Sequence, residues 1–211
     1  MKRLVFGLFL ASVAALFSTD AIAGEWKALF NGKDLSGWQP VAGAEGHWKV
    51  ADGLLYCEGG GGWLSTTEQY GDFELELQFR VPPEGNSGVF LRAPHEGNPA
   101  YQGMEIQVLD DHAAKYANLR PSQYTGSVYD VSPATKRVTK PAGQWQTMSI
   151  RCDGRQVRVK VNGTTVVDTN LDDHADKLKT HPGLKRKQGY LGLQGHGSRL
   201  DYRNLRLRTL P

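Results

Sequence analysis

Cysteine is scarce in this sequence. Of its 211 residues only two, Cys57 and Cys152, are cysteines. Two thiols without a matching histidine pattern argue against a structural zinc site, which needs four nitrogen or sulfur ligands. Their spacing along the chain does not show whether their Cα atoms come within reach of a disulfide. Pairing of the two residues therefore stays open at this stage.

Long apolar runs are missing from most of the chain, and no segment after the first two dozen residues approaches the roughly 18 apolar residues of a transmembrane helix. Residues 1–23 begin with two basic residues, continue with an apolar run and end in the small-x-small triplet Ala21-Ile22-Ala23. This pattern is typical of a cleavable secretory signal peptide. We therefore predict a single domain over residues 24–211, periplasmic or secreted, with no membrane contact after cleavage.

A large excess of one charge is also lacking. Lysine and arginine number 25 and aspartate and glutamate 22, which leaves a formal net charge of +3. The basic residues are dispersed apart from a cluster at residues 185–187, for which a solvated loop is a sufficient explanation. The composition therefore gives no support for a nucleic-acid partner.

Helical periodicity is absent after the predicted signal peptide. Instead, short runs alternate apolar and polar residues, with Gly, Pro, Asn or Asp between them, as β-strands do. The clearest run is 72–81. Asn162-Gly163 separates two β-branched runs and predicts a two-residue hairpin. Near the C-terminus the apolar parity changes between Tyr202 and Leu205, which predicts a bulge near Arg203-Asn204.

The remaining strands are predicted from the same alternation, and they cover residues 87–92, 103–110, 144–150, 155–161, 164–168, 188–194 and 200–210. Roughly ten to twelve short antiparallel strands in one domain need two packed sheets, because a single open sheet would leave apolar side chains in water. We therefore predict an all-β fold, a two-sheet antiparallel β-sandwich of the jelly-roll type.

Three of the predicted strands have an unusual polar face. In 103–110, Ile106 and Val108 point to the core and leave the neighbouring Glu and Gln on the opposite face. The strands 87–92 and 188–194 follow the same pattern, and glycines on them leave room for a ligand near the backbone. If the three strands lie in one sheet, their polar side chains converge on one surface. These side chains are Arg92, Glu105, Gln107, Gln194 and His196.

Several stretches together resemble the 3-keto-disaccharide hydrolase family, in the same order and across nearly the whole chain. They are FNGKDLSGW (30–38), GGWLSTTEQYGDFELELQFR (61–80), NSGVFLR (86–92), EIQVLDDH (105–112), GSVYD (126–130), KPAGQW (140–145) and GYLGLQGHG (189–197). The resemblance implies a concanavalin A-like lectin/glucanase sandwich. It also implies an enzyme that cleaves oxidised glycosides, whose sugar carries a ketone at C3.

A ketone at C3 makes the C2 proton acidic, so that a base can remove it and the glycosidic oxygen at C1 can leave by β-elimination; water can then add back. Such a site needs a base, a group that stabilises the enolate and an acid for the leaving oxygen. We expect Glu105 and His196 to carry the proton transfers. Arg92, Gln107 and Gln194 are expected to hold the ketone and hydroxyl groups.

Further candidate contacts come from the aromatic and acidic residues nearby. Tyr101 and Tyr129 are expected to present ring faces to the sugar, and Asp130 to accept hydrogen bonds from its hydroxyl groups. The alternatives are packing at the rim of the core for the tyrosines and a turn-stabilising acceptor for the aspartate.

The run Asp110-Asp111-His112 ends a predicted strand with residue types that bind metals. A divalent cation that polarises the ketone would suit elimination, but a contiguous run of this kind more often caps a loop. No cofactor is certain from the sequence, and the oligomeric state is not indicated.

Two other functions are alternatives to the cleavage of oxidised glycosides. A retaining glycosidase needs two carboxyl groups about 5 to 5.5 Å apart. On the strand face of Glu105, the next residue is Gln107, which has no carboxyl group. Asp110 falls on the opposite face of the strand. The sequence therefore argues against a retaining glycosidase. The other alternative is a non-catalytic, lectin-like carbohydrate-binding domain, since one fold serves both purposes.

Overall fold

The computed structural model describes residues 23–211, so nearly all of the predicted signal peptide lies outside the described residues. The described strands are β1 (Lys27–Ala28), β2 (Trp38–Val41), β3 (Trp48–Ala51), β4 (Leu54–Cys57), β5 (Trp63–Tyr70), β6 (Phe73–Arg80), β7 (Asn86–Ala93), β8 (Met104–Leu109), β9 (Gln146–Asp153), β10 (Gln156–Val161), β11 (Thr164–Asn170), β12 (Gly189–Gln194) and β13 (Leu200–Thr209). A short helix, α1 (Pro99–Gln102), precedes β8, and 3-10 helices span Ala114–Tyr116, Pro121–Gln123, Leu171–Lys177 and Pro182–Lys185. In the part of the chain from residue 23 onward, no helix has the length and apolar character to cross a membrane.

The strands form two antiparallel sheets. The larger has the order β11-β10-β9-β6-β13-β4-β3, with β1 added to β13, and the smaller has the order β2-β5-β12-β7-β8. Apolar side chains from both sheets form one buried cluster, so the sheets pack face to face. The prediction of an all-β, two-sheet sandwich is confirmed.

Local patterns in the sequence account for several features of the larger sheet. On β6 every second residue is buried, as its apolar alternation predicts. Asn162 and Gly163 have φ values of 49° and 80°, the left-handed pair that a tight hairpin turn requires. The register of β13 against β6 shifts between Arg203 and Arg206, which confirms the predicted bulge.

Arg92 does not lie on the polar face for which the sequence predicted it. Opposite β12, the strand β7 carries a bulge: Tyr190 pairs with Ala93, whereas Gly192 pairs with Phe90. Arg92 lies in this bulge with a φ of 49°, so its side chain does not continue the alternation. The guanidinium group points into the protein and the side chain is only 1% exposed.

The buried guanidinium of Arg92 connects several loops. It donates hydrogen bonds to the carbonyl oxygens of Gly71, Gly154 and Arg186 and forms a 2.8 Å ion pair with Asp72. These partners lie in the connections β5–β6 and β9–β10 and just before β12. Arg92 therefore connects loops at one end of the sandwich, and its place in the interior corrects the prediction from the sequence that it binds the substrate.

The two cysteines are both buried and free. Cys57 lies on β4 and Cys152 on β9, and the strands β13 and β6 stand between them in the sheet. Since neighbouring strands are about 4.8 Å apart, the two Cα atoms are far beyond disulfide reach. Burial raises the pKa of Cys57 to about 11 and that of Cys152 to about 12.

Replacing Arg92 tests its structural role. We expect Arg92→Met to lower the free energy of unfolding by about 3 kcal/mol, because it leaves three carbonyl groups and one carboxylate without their donor. Arg206→Met is the matched control: its ion pair with Glu76 is exposed, so the cost should stay below about 1 kcal/mol. Urea unfolding measures both, and equal losses would contradict the assignment.

Candidate active site

The smaller sheet places the three polar strands side by side, in the order β12-β7-β8. Gln107 on β8 pairs with Gly88 on β7, and Phe90 on β7 pairs with both Glu105 and Gly192. The polar residues of β8 and β12 therefore face outward on either side of β7. The prediction that these three segments share one sheet is confirmed, although the side chain of Arg92 does not lie on its outer face.

A polar cleft of about 140 Å³ opens on this outer face. It is lined by Asn86, Asn98, Ala100, Tyr101, Glu105, Gln107, Tyr129, Gln194 and His196. Six of these residues were predicted from the sequence. His196 lies just beyond the end of β12, in an exposed loop, and still reaches the cleft.

One wall of the cleft is α1, which packs on an apolar patch of the same sheet face. The patch consists of Trp63, Phe90 and Ala93, which form one buried cluster with Ala100 of α1, and the rings of Trp63 and Phe90 lie edge to face at 5.6 Å. Asn98 caps the helix by accepting a hydrogen bond from the amide of Ala100. The cap and the patch fix the position of Tyr101 at the cleft.

Glu105 lies over a glycine. A Cβ atom at Gly88 would be 2.0 Å from the Oε1 atom of Glu105, a distance that no real side chain allows. The absence of a side chain at position 88 thus gives the carboxyl group its place on the sheet. The residue is 4% exposed, and no side chain or amide of the described residues bonds its carboxyl group.

Burial without a compensating donor changes the acidity of Glu105. Desolvation, together with the nearby negative charge of Asp130, raises the pKa of Glu105 to about 8, from an ordinary value of 4.5. A carboxyl group of this kind is a stronger base than a solvated one once it loses its proton, and its pKa lies near neutral pH. Such a perturbation in a cleft is characteristic of functional sites.

Gln107 has a fixed orientation in the cleft. Its amide nitrogen donates to the side chain of Asn86 at 2.8 Å and to the carbonyl oxygens of Ser87 and Val108. These bonds leave the side-chain oxygen of Gln107 as an acceptor for a ligand. The amide of Gln194, by contrast, makes no side-chain hydrogen bond within residues 23–211, so its donor and acceptor both remain for a ligand.

The two tyrosines are held in different ways. The hydroxyl of Tyr129 accepts a 3.1 Å hydrogen bond from Gln123, which leaves its own proton to donate into the cleft. Burial raises the pKa of Tyr129, so that it stays a donor. The ring of Tyr101 packs edge-on against His181, with centroids 4.9 Å apart.

His181 is a buried neighbour that the sequence did not indicate. It is 5% exposed, and its Nδ1 lies 2.9 Å from the hydroxyl of Thr180. Its Nε2 is buried and has no partner in the described part of the chain. Burial lowers the pKa of His181, so it supports Tyr101 as a neutral ring.

Asp130 lies behind the cleft and not among its lining residues, which corrects the expected direct contact with a sugar. Its main chain has a φ of 56°, and its carboxylate forms a 2.7 Å ion pair with Arg120. Its side chain is 12% exposed. From this position it acts on the site through its charge, which contributes to the raised pKa of Glu105.

The run Asp110-Asp111-His112 caps loops, which was the alternative to a metal site. Asp110 accepts hydrogen bonds from the amides of Glu84 and His112, and Asp111 accepts from Thr125 and Thr139. Their carboxylate oxygens are thus already engaged. Across residues 23–211, no group of three or more His, Cys, Asp or Glu side chains is placed to hold a metal ion.

A larger groove of about 710 Å³ lies on the other sheet. Among its lining residues, Glu76 pairs with Arg206 and Gln78 accepts from Arg203. It contains no buried titratable group comparable to Glu105. The small polar cleft is therefore the candidate active site.

Residues 25–208 match the family described as 3-keto-alpha-glucoside-1,2-lyase-like domain. The chain belongs to this family. The family resemblance drawn from the sequence motifs is confirmed.

One curated relative and two solved structures are similar to this chain. A 3-keto-disaccharide hydrolase from Bacteroides thetaiotaomicron is 28% identical, over 86% of this chain and 77% of the relative. A crystal structure of a candidate glycosyl hydrolase from Parabacteroides distasonis is 30% identical, with a TM-score of 0.78, and covers 88% of this chain and 100% of that one. A carbohydrate-binding module from Bacillus subtilis shares the fold alone, with a TM-score of 0.54, 14% identity and coverage of 80% and 93%. The comparisons support a carbohydrate-active role.

Sequence reasoning missed three cleft residues of this family member: Asn86, Asn98 and Ala100. Asn98-Pro99 is a usual start of a helix, with a capping side chain followed by proline, and it could have predicted α1. Asn86 opens the motif NSGVFLR, but its role depends on contact with Gln107 across the strand pair. His181 has no local signal, because it reaches Tyr101 only through the tertiary fold.

The raised pKa of Glu105 predicts how the free energy of unfolding changes with pH. An unfolded chain loses this proton near pH 4.5, whereas the folded protein keeps it until about pH 8. Between these values the folded state binds one more proton, so stability falls as pH rises, by at most about 1.4 kcal/mol per pH unit. Glu105→Gln removes this dependence.

We therefore expect Glu105→Gln to be more stable than the parent at pH 8 and to lose most of that advantage at pH 5. Urea unfolding at the two pH values measures the difference. The control is Glu76→Gln, an exposed residue on the other sheet, which should show no such gain. A gain for Glu105→Gln that is the same at both pH values would contradict the proton linkage.

Proposed function

We propose that this protein cleaves glycosides whose sugar carries a ketone at C3, by removal of the C2 proton and β-elimination of the C1 oxygen. The observation that carries the proposal is the Glu105 carboxyl group, which is buried, has no hydrogen-bond partner among the described residues and lies in a cleft of neutral polar groups. A solvated surface glutamate has no comparable basicity.

Glu105 acts as the base in this proposal. Its carboxylate takes the C2 proton, and the electron pair of the C–H bond moves toward the C3 ketone to form an enolate. The electron pair then returns, forms the C1–C2 double bond and expels the glycosidic oxygen. A base with a pKa near the working pH is suited to this step, because it is available in its charged form and still holds the proton it has taken.

Neutral donors stabilise the negative charge that develops on the ketone oxygen. Tyr129 has a free hydroxyl proton and Gln194 a free amide, and both line the cleft. Fixed donors of this kind act in a partly dry site at little reorganisation cost. The oxygen of Gln107 holds a sugar hydroxyl, and His196, which is exposed at the rim, gives a proton to the leaving oxygen.

The name of the Bacteroides relative and the family description both support 3-keto sugars as substrates. One refers to hydrolysis and the other to a lyase. Elimination followed by addition of water unites the two, because the first step is common. A retaining mechanism is disfavoured, since the nearest interacting carboxylate, Asp130, is paired with Arg120 and lies behind the cleft.

A lectin-like binding domain remains the second candidate, and the fold shared with the Bacillus subtilis module is the observation that favours it. Binding alone, however, gains nothing from a buried carboxyl group without a partner, which costs stability. We further propose, from the sequence of residues 1–23 alone, that the protein acts in the periplasm or outside the cell.

Glu105→Gln separates the enzyme from the lectin. We expect the variant to retain binding of a 3-keto-glucoside and to lose about 10²- to 10⁴-fold in turnover, since it lacks the base. Release of the leaving alcohol from methyl 3-keto-glucoside and from 3-keto-trehalose measures turnover, and calorimetry measures binding. Glu76→Gln serves as the control with parent-like activity.

The proposal would be abandoned if the parent protein released no alcohol from any 3-keto-glycoside. Equal turnover by the parent and by Glu105→Gln would instead remove Glu105 from the role of base.

Asp130→Asn tests the electrostatic part of the site. Asparagine tolerates the positive φ at this position, but it removes a negative charge that raises the pKa of Glu105. The acidic limb of the pH–rate profile should move to lower pH. It should not reach 4.5, because burial is the larger cause and persists. A profile that stays in place would show that Asp130 does not affect the base.

A further inference from the structure

A second, narrower crevice lies beside the cleft. It has a volume of about 80 Å³ and is lined by Asn86, Gln107, Leu109, Tyr116, Leu119, Gln123 and Tyr129. Three of these residues, Asn86, Gln107 and Tyr129, also line the cleft. The crevice and the cleft therefore lie side by side and share these three side chains as a common wall, and the segment that follows β8 forms the other wall of the crevice.

The size of the crevice limits what it holds. One water molecule in the liquid occupies about 30 Å³, so the crevice has room for about two or three. Its inner end carries polar groups from Asn86, Gln107 and Tyr129, which supply the two to four partners that an ordered water needs. Its outer end is formed by Tyr116 and Leu119, which are partly exposed.

The outer wall is held in place by the loop contacts described above. Asp111 accepts hydrogen bonds from Thr125 and Thr139, and the hydroxyl of Tyr116 donates to the carbonyl oxygen of Glu84 at 3.2 Å. The hydroxyl of Tyr124 donates to the carbonyl oxygen of Tyr116 at 2.9 Å. The crevice is thus bounded by fixed groups.

We infer that this crevice delivers the water molecule that hydrates the unsaturated ketosugar after elimination, while the sugar itself occupies the cleft. The inference rests on the proposed function and assigns a site to its second step. Water that approaches past Gln107 and Tyr129 arrives beside Glu105, which by then holds the C2 proton.

The hydration step balances with the groups present. The water oxygen forms a bond to C1, the electron pair of the C1–C2 double bond moves toward C2 and the ketone, and C2 takes back the proton from Glu105. The remaining water proton returns to His196, which gave its own proton to the leaving oxygen, or goes to solvent. The products are the free 3-keto sugar and a deprotonated Glu105, ready for another cycle.

Filling the crevice tests this inference. Leu119→Trp places a larger side chain at its outer end, and Leu119→Ala widens it. The matched control is Leu35→Trp, at a partly buried apolar position remote from the site. With 3-keto-trehalose as the probe, alcohol release reports elimination, enone absorbance reports the unhydrated product, and chromatography reports the hydrated sugar. The spontaneous hydration of isolated enone is subtracted.

We expect Leu119→Trp to release alcohol at the parent rate but to give a several-fold smaller fraction of hydrated sugar. Leu119→Ala and Leu35→Trp should keep the parent product ratio. An unchanged ratio in Leu119→Trp would overturn the inference and leave the proposed function intact, as would a parent enzyme that forms only enone. Loss of elimination in both Leu119 variants would also overturn it, because the crevice would then serve elimination itself. Failure of the parent to release alcohol would instead overturn the proposed function.

Discussion

The burial of one carboxyl group over one glycine is the constraint on which this site depends. Glu105 occupies the space that a side chain at position 88 would fill, and the sheet offers it no compensating donor. Folding therefore carries a free-energy cost, because this carboxyl group is removed from water without a hydrogen-bond partner. The strands on either side supply neutral groups, Gln107 and Gln194, which leave the acidity of Glu105 to burial and to Asp130.

The two sheets have different functions in this arrangement. The outer face of the larger sheet carries arginine–carboxylate pairs such as Arg206 with Glu76 and Arg208 with Glu74, in which the charged groups are already paired with each other. The outer face of the smaller sheet is partly covered by α1 and by the segment after β8. Covering this face is what turns an ordinary strand surface into a cleft that excludes part of the solvent.

The sequence predicted the strands β6 to β13, the hairpin at Asn162-Gly163 and the bulge in β13, because each depends on neighbours along the chain, but it did not predict β1 to β5. It also predicted the inward and outward faces of β8. The conformation of Arg92 could not be predicted from the sequence, because the bulge in β7 arises from pairing with β12, about a hundred residues later in the chain. His181 and Asn86 were missed for the same reason: their roles come from contacts between distant segments.

The family motifs allowed an inference about chemistry that alternation alone did not. Alternation places Glu105 on an outer face, where a solvated glutamate is the usual outcome. The structure shows why this one differs, since it is buried in a cleft that α1 and Tyr129 also line. Asp130 illustrates the converse, because its residue type suggested a sugar contact whereas its position makes it a source of charge.

The free state of Cys57 and Cys152 has a practical consequence. Both thiols are buried and far from each other, and burial raises their pKa. The domain therefore reaches its native fold without any oxidation step. Its folding therefore does not depend on whether the compartment is oxidising or reducing. Reducing agents have no disulfide to break in the described residues.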